Sequence, residues 1–242
     1  RVSPLAILFT AWAVVVVWQL TRVVRCGVQA QRLMASCHSL DDPQVQWLVE
    51  QCSRELNCPQ PRVLELDSAG SPFLVGILRP AIVLPRETLA QLLPAERELV
   101  IRHELAHAVR RDLAWSLLAA VVRAVLFFHP LVWVLERRLA VTQELAADDL
   151  ALRSQRQAPW EYAAQLVSIV SKLGSTRPLP VLSASIAGNQ HSLQQRLSAM
   201  KYVHSVSRRA ALSYAALLLS AALLGIVPWR LVAADPAVAG PV

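Results

Sequence analysis

The sequence predicts a mostly helical α+β integral membrane protein. A helix carries a His-Glu-x-x-His pattern, a short β-hairpin or edge strand precedes it, and transmembrane helices flank the whole. Three observations point there. Of 242 residues, 55% are apolar and 17% charged, and the mean hydropathy is +0.40, values unusual for a soluble domain. Apolar runs near both ends are about long enough to span a bilayer. Between them stands "LVIRHELAHAVRRDL", residues 99–113, with His103 and His107 four apart.

The first run, "LAILFTAWAVVVVWQLT" at residues 5–21, is followed by Arg22, Arg25 and Arg32 and preceded only by Arg1. The positive-inside rule then puts its C-terminal end in the cytoplasm. A signal peptide would carry small cleavage-site residues where these arginines stand. The reading is a transmembrane helix over 1–24 and a cytoplasmic domain over 25–209. A second span over 210–229, "AALSYAALLLSAALLGIVPW", follows Lys201, Arg208 and Arg209. Residues 230–242 are then an extracytoplasmic stub or the start of a further domain. The chain begins at Arg1 rather than Met, as a fragment would. Its net charge of +7 is assigned to these cytoplasmic flanks, so no direct nucleic-acid binding is expected.

Cys26, Cys37, Cys52 and Cys58 show no C-x-x-C spacing and fall in the cytoplasmic segment, where reduced thiols are the rule. Cys37 beside His38 lacks the further partners that a metal site needs.

Asp41-Asp42-Pro43 offers a cap and a first-turn proline for a helix, and Val45, Leu48, Val49, Cys52 and Leu56 keep helical spacing. "RVLELDS" and "FLVGILRPAIVLP" are rich in β-branched residues and separated by "AGSP", which predicts two or three short strands. Pro80 and Pro85 confine part of this to a sheet edge. Pro94 opens the helix that carries His103. Residues 113–135 form a third apolar run, with Arg110 and Arg111 before it and Arg137 and Arg138 after it. Basic flanks at both ends argue against a crossing. The expectation is a hairpin broken at Pro130 that dips into the membrane or packs under the domain. Residues 171–190 read as a loop from their Gly, Pro and Ser content.

On a helix, positions i and i+4 are separated by roughly 40°. His103 and His107 therefore point the same way, as two ligands of one tetrahedral zinc would. Glu104 is placed to take a proton from a water in an open zinc position. A third ligand is needed, and "TQELAADDLAL" offers Glu144, Asp148 and Asp149 on another helix. Glu144 and Asp148 share a face, and Asp149 lies roughly 140° from Glu144. Glu144 reads as the third ligand and Asp148 as a hydrogen-bond partner of a liganding imidazole. A peptide substrate would add as a strand beside Phe73, Leu74, Val75 and Gly76. His129 and His191 are weak candidates for stabilising an oxyanion, since a lone histidine is more often structural.

"PFLVGILRPAIVLP", "VIRHELAHAVRRDL" and "FFHPLVWVLERRLAVTQELAADDLAL" together resemble the BlaR/MecR-type membrane zinc metallopeptidases, closely over residues 70–155. The resemblance implies a cytoplasmic zinc peptidase domain between bacterial plasma-membrane helices. It implies zinc on His103 and His107, catalysis by Glu104, a downstream ligand at Glu144 and an accompanying aspartate at Asp148. The implied substrate is a DNA-binding repressor, and a homodimer is compatible with it. Many members carry Cys before that aspartate, whereas this chain has Ala147. No sensor domain follows residue 230, so β-lactam sensing is not implied. Two other readings share the sequence. A housekeeping membrane zinc protease would use the same site on many substrates, and a silent receptor or scaffold would have no need of the intact triplet.

Overall fold

The computed structural model describes residues 3–68, 70–155 and 157–173, with Arg196 and Ser213. The chain divides into residues 1–202 and 203–242, and the second unit contributes only Ser213. The expected span 210–229 (Ser213 apart), the tail 230–242 and His191 lie outside the described residues.

Helix α1, Pro4–Ala35, starts at a first-turn proline. It does not stop at the arginines after residue 21: no proline interrupts "TRVVRCGVQAQRLMA", and the helix continues through Gly27. One helix thus carries two kinds of surface. Leu5, Leu8, Phe9, Val14 and Val17 are exposed, and this part is long and apolar enough to cross a membrane. Toward the C-terminal end, Ala30, Leu33 and Met34 pack on a sheet.

That sheet has the order β1-β2-β4-β3, from His38–Ser39, Arg62–Leu66, Ala81–Pro85 and Phe73–Val75. β2 and β4 are parallel, and the other neighbours are antiparallel. Strand alternation sorts its two faces. Phe73, Val75, Ala81 and Val83 meet α1, while Val63, Leu74, Ile82 and Leu84 enter the main core. The prolines do not mark an edge as expected. Pro85 ends the interior strand β4 and Pro80 precedes it, so β4 keeps partners on both sides. β3 is one edge strand and β1 the other. Gly76 turns the β3–β4 hairpin at φ +88°, where a Cβ would come 2.6 Å from the Arg79 carbonyl oxygen.

Helix α2, Pro43–Glu55, is capped by Asp42, whose carboxylate accepts from the Gln44 and Val45 N–H groups. It buries Val45, Val49 and Cys52 against α4, Pro94–Arg110, which follows the short α3, Arg86–Gln91. Glu96 of α4 accepts from the Leu93 N–H at 2.8 Å and from Lys172 at 2.6 Å. The second bond ties α4 to α7, Pro159–Leu173. Tyr162, Leu166, Ile169 and Leu173 hold helical spacing on the buried face of α7. Residues 171–173, expected in a loop, are its last turn. The apolar run 113–135 is divided between α5, Asp112–Val125, and α6, Pro130–Gln155, with the turn at 126–129.

Candidate metal centre

Five of the predicted site residues, His103, Glu104, His107, Glu144 and Asp148, meet between α4 and α6. His103, Glu104 and His107 are fully buried on α4, where Leu99, Ile101 and Leu105 anchor the helix in the core. Ala147 and Ala151 of α6 are also fully buried, and side chains that small let α6 approach α4 closely enough for a glutamate to reach the histidines. The Nε2 atoms of His103 and His107 are 3.2 Å apart. Glu144 places Oε2 3.5 Å from the first and Oε1 3.7 Å from the second. His103, His107 and Glu144 are the one group among the described residues whose ligand atoms gather tightly enough to hold a metal ion.

The opposite ring nitrogens face carboxylates. His107 Nδ1 is 2.8 Å from Asp112 Oδ2, and His103 Nδ1 is 3.0 Å from Asp148 Oδ1, off the line of a good hydrogen bond. A carboxylate favours the N–H form of the nitrogen it faces. With an Nδ1 proton facing a carboxylate on each ring, the two Nε2 atoms and the Glu144 oxygens converge on one point. A cation fits there once the second proton of His103 has left. Two imidazoles and a carboxylate also match a catalytic zinc site with one position left open.

Glu104 completes the group. Neither carboxylate oxygen has a hydrogen-bond partner, and burial pushes the carboxyl up to about 8, opposed by His103 and by the Leu74 backbone amide beside it. Burial acts to lower His103, but Asp148 and Glu144 outweigh it and hold the imidazole up at about 9. Burial opposes ionisation of Glu144, yet His103 and Arg196 keep its carboxyl below the usual range. Without metal near neutral pH, His103 and Glu104 therefore both hold protons that a dication would expel. Metal uptake at pH 7 should release roughly one to two protons per ion, measurable by calorimetry in buffers of different ionisation enthalpy. Uptake without proton release would contradict this electrostatic picture.

Three contributors escaped the sequence reading. Asp112 is the first residue of α5, and the turn into it depends on Arg111 at φ 56°. That left-handed backbone costs a non-glycine residue roughly 1–2 kcal/mol, and the turn brings the Asp112 carboxylate onto His107. Arg196, only 2% exposed, donates to both Asp148 oxygens at 2.6 Å and lies 3.5 Å from Glu144 Oε2. The Tyr162 hydroxyl donates to Asp148 Oδ1 at 2.9 Å. The pair "RD" at 111–112 directly after the motif helix was the one available signal for Asp112. Arg196 and Tyr162 are distant in sequence and gave none. Asp112→Ala should weaken metal binding by about 10- to 100-fold, the usual loss when a liganding imidazole loses its orienting carboxylate. Competition with a chelating dye checks it, and unchanged affinity would remove Asp112 from the site.

The remaining candidates lie elsewhere. Asp149 is exposed and pairs with Arg153 at 2.9 Å. His129 is exposed at the α5–α6 turn, where its Nδ1 accepts from the Leu131 N–H. Cys37 and His38 join no metal-ligand cluster among the described residues. All four cysteines are free thiols. Phe73, Leu74 and Val75 form the edge strand β3, but each is at most 3% exposed. The strand at the free edge is buried, as His103 and His107 are, while Glu144 keeps partial exposure.

The comparisons with known proteins agree with this arrangement. The chain is 24% identical over 147 residues to the regulatory protein BlaR1 of Bacillus licheniformis. That match covers 60% of this chain but only 24% of the relative, so the chain spans about a quarter of that protein's length. The family model described as BlaR1 peptidase M56 matches residues 2–200. The chain belongs to the BlaR1 peptidase M56 family.

Proposed function

We propose that the chain is a membrane-embedded zinc endopeptidase that cleaves a cytoplasmic protein, a DNA-binding repressor in the first instance, during transmembrane signalling. The observation that carries the reading is the convergence of His103 Nε2, His107 Nε2 and Glu144 beside an unpartnered, buried Glu104. Family membership supports peptide-bond chemistry at this site. The apolar length of α1 supports the membrane.

His103, His107 and Glu144 would hold zinc, which when bound supplies Lewis acidity and lowers the pKa of water toward about 7. Asp112 and Asp148 orient the two imidazoles, and Arg196 and Tyr162 hold Asp148 in place. Glu104 accepts the proton of the attacking water and delivers it to the leaving amine, a role that suits a carboxyl poised near neutral pH. A substrate strand would add to β3, with the Leu74 amide already beside Glu104. The β3 strand, His103 and His107 are buried and Glu144 is only partly exposed, so cleavage calls for an opening step. A closed resting site fits a protease that waits for a signal.

Housekeeping proteolysis at the same site is the second reading. The proteomes of parent and Glu104→Gln strains separate the two. A signalling protease leaves one or a few proteins uncleaved in the variant. Accumulation of many unrelated membrane proteins would favour quality control, and no change at all would reject both.

A further inference from the structure

We infer that the α5–α6 hairpin is an interaction surface for the bilayer, seated in one leaflet to about a third of the thickness of the whole hydrocarbon core. It thereby fixes the metal centre about 12 Å beyond the headgroup level on the aqueous side. This rests on the membrane reading of α1 given above. The first observation is the backbone of the turn. Irregular backbone inside lipid must have its polar groups satisfied by protein. At 126–129, the Val125 carbonyl accepts from Trp12 Nε1 at 3.1 Å and the Phe127 carbonyl from Trp133 Nε1 at 2.9 Å. The Leu126 carbonyl accepts from the His129 N–H, and the Leu126 N–H donates to Val122. His129 Nδ1 accepts from the Leu131 N–H at the start of α6. A turn facing water has no need of two indole donors, one of them from a helix more than a hundred residues away.

The second observation is a level shared by the three helices. Ser116 donates to Gln143 and Arg123 to Glu136, so α5 and α6 run antiparallel in step and Ala120 stands opposite Leu139. Arg22 of α1 lines the same cavity of about 310 Å³ as Ala120 and Leu139. Exposed Arg22, Arg137 and Arg138 therefore mark one height, where guanidiniums meet headgroup phosphates. Toward the turn the outward side chains are mostly apolar, with Val121, Phe128, Leu131, Val134 and Leu135 exposed and His129 the polar exception. Arg123 and Glu136 lie just past this level and face the cavity instead. They pair with each other at 2.9 Å, with Gln19 Oε1 3.5 Å from Arg123, as charges within a membrane do.

Helical rise sets the depths. From Ala120 to the turn the chain advances roughly 10 Å, a third of a hydrocarbon core of about 30 Å. From Ala120 back to Asp112, which holds His107, eight residues amount to about 12 Å.

Nitroxide labels on single cysteines test this in the full 242-residue chain, its four native cysteines replaced, in vesicles of phosphatidylcholine and phosphatidylglycerol. Labels at Leu8 on α1 and Trp47 on α2 serve as lipid and water references. Phe128 and Val134 should collide with oxygen in preference to a nickel chelate, as Leu8 does, with Leu118 between Phe128 and Trp47. If Phe128 and Val134 report water while Leu8 reports lipid, the hairpin inference fails and the membrane reading stands. If Leu8 also reports water, both fall.

Discussion

Glu104→Gln should bind metal as the parent does and lose proteolysis by several orders of magnitude. Glutamine keeps the volume of a fully buried side chain, and Glu104 is not among the three groups whose atoms converge on the candidate metal position. Only the proton acceptor is removed. Base catalysis alone supplies about 10²- to 10⁴-fold, and the carboxylate's hold on the attacking water is lost with it. Cleavage of an unbiased peptide library, read by mass spectrometry beside a metal analysis of the same sample, gives both quantities. Near-parental cleavage by a metal-loaded variant would overturn the role of Glu104.

The same substitution has a signature in stability. Burial raises the Glu104 carboxyl from its ordinary value to about 8, so the folded state favours the protonated form. The stability this contributes is fully present below the unfolded value of about 4.5 and is lost as pH rises through about 8. Glutamine cannot ionise. In chelator, the variant should therefore gain in unfolding temperature over the parent as pH rises across that window. Below pH 4.5 the two should show no such pH-dependent difference.

The sequence exposed some parts of this molecule and hid others for physical reasons. His103, Glu104 and His107 were legible because helical periodicity places i and i+4 on one face whatever the tertiary fold. Glu144 stood out as an acidic residue on an alanine-rich helix. α2 could be read from its cap and spacing, and β2 and β4 from their β-branched runs. Strand β1 was missed because two residues carry no pattern of their own. The interior position of β4 was missed because a proline at a strand's end looks the same in sequence as a proline on an edge. α1 was cut short at residue 24 because a charge boundary marks a change of solvent, and a helix can continue through it. Asp112 and Arg196 act through tertiary contacts that no local spacing encodes.

Glu144→Ala should lose most metal binding, Asp148→Asn should weaken it about 10- to 100-fold, and Asp149→Ala should leave it unchanged. The order follows from where α6 points each carboxylate. Glu144 brings its two oxygens within 3.7 Å of both Nε2 atoms, so its removal deletes one of three donors. Asp148 stands one turn on, at 3.0 Å from His103 Nδ1, and touches the far side of that ring. Its loss affects the imidazole's orientation and leaves the number of donors unchanged. Asparagine is the informative change here. Alanine would also take away both oxygens to which the buried Arg196 donates, a defect that confuses unfolding with metal loss. Asp149 projects from the other side of the helix to Arg153 at 2.9 Å, in solvent, where such a pair contributes about 0.2–1 kcal/mol. Metal titrations of the three folded variants settle the order. If Asp149→Ala loses metal while Glu144→Ala retains it, α6 is turned by nearly half a revolution from the face assigned here, and the centre must be built from other residues.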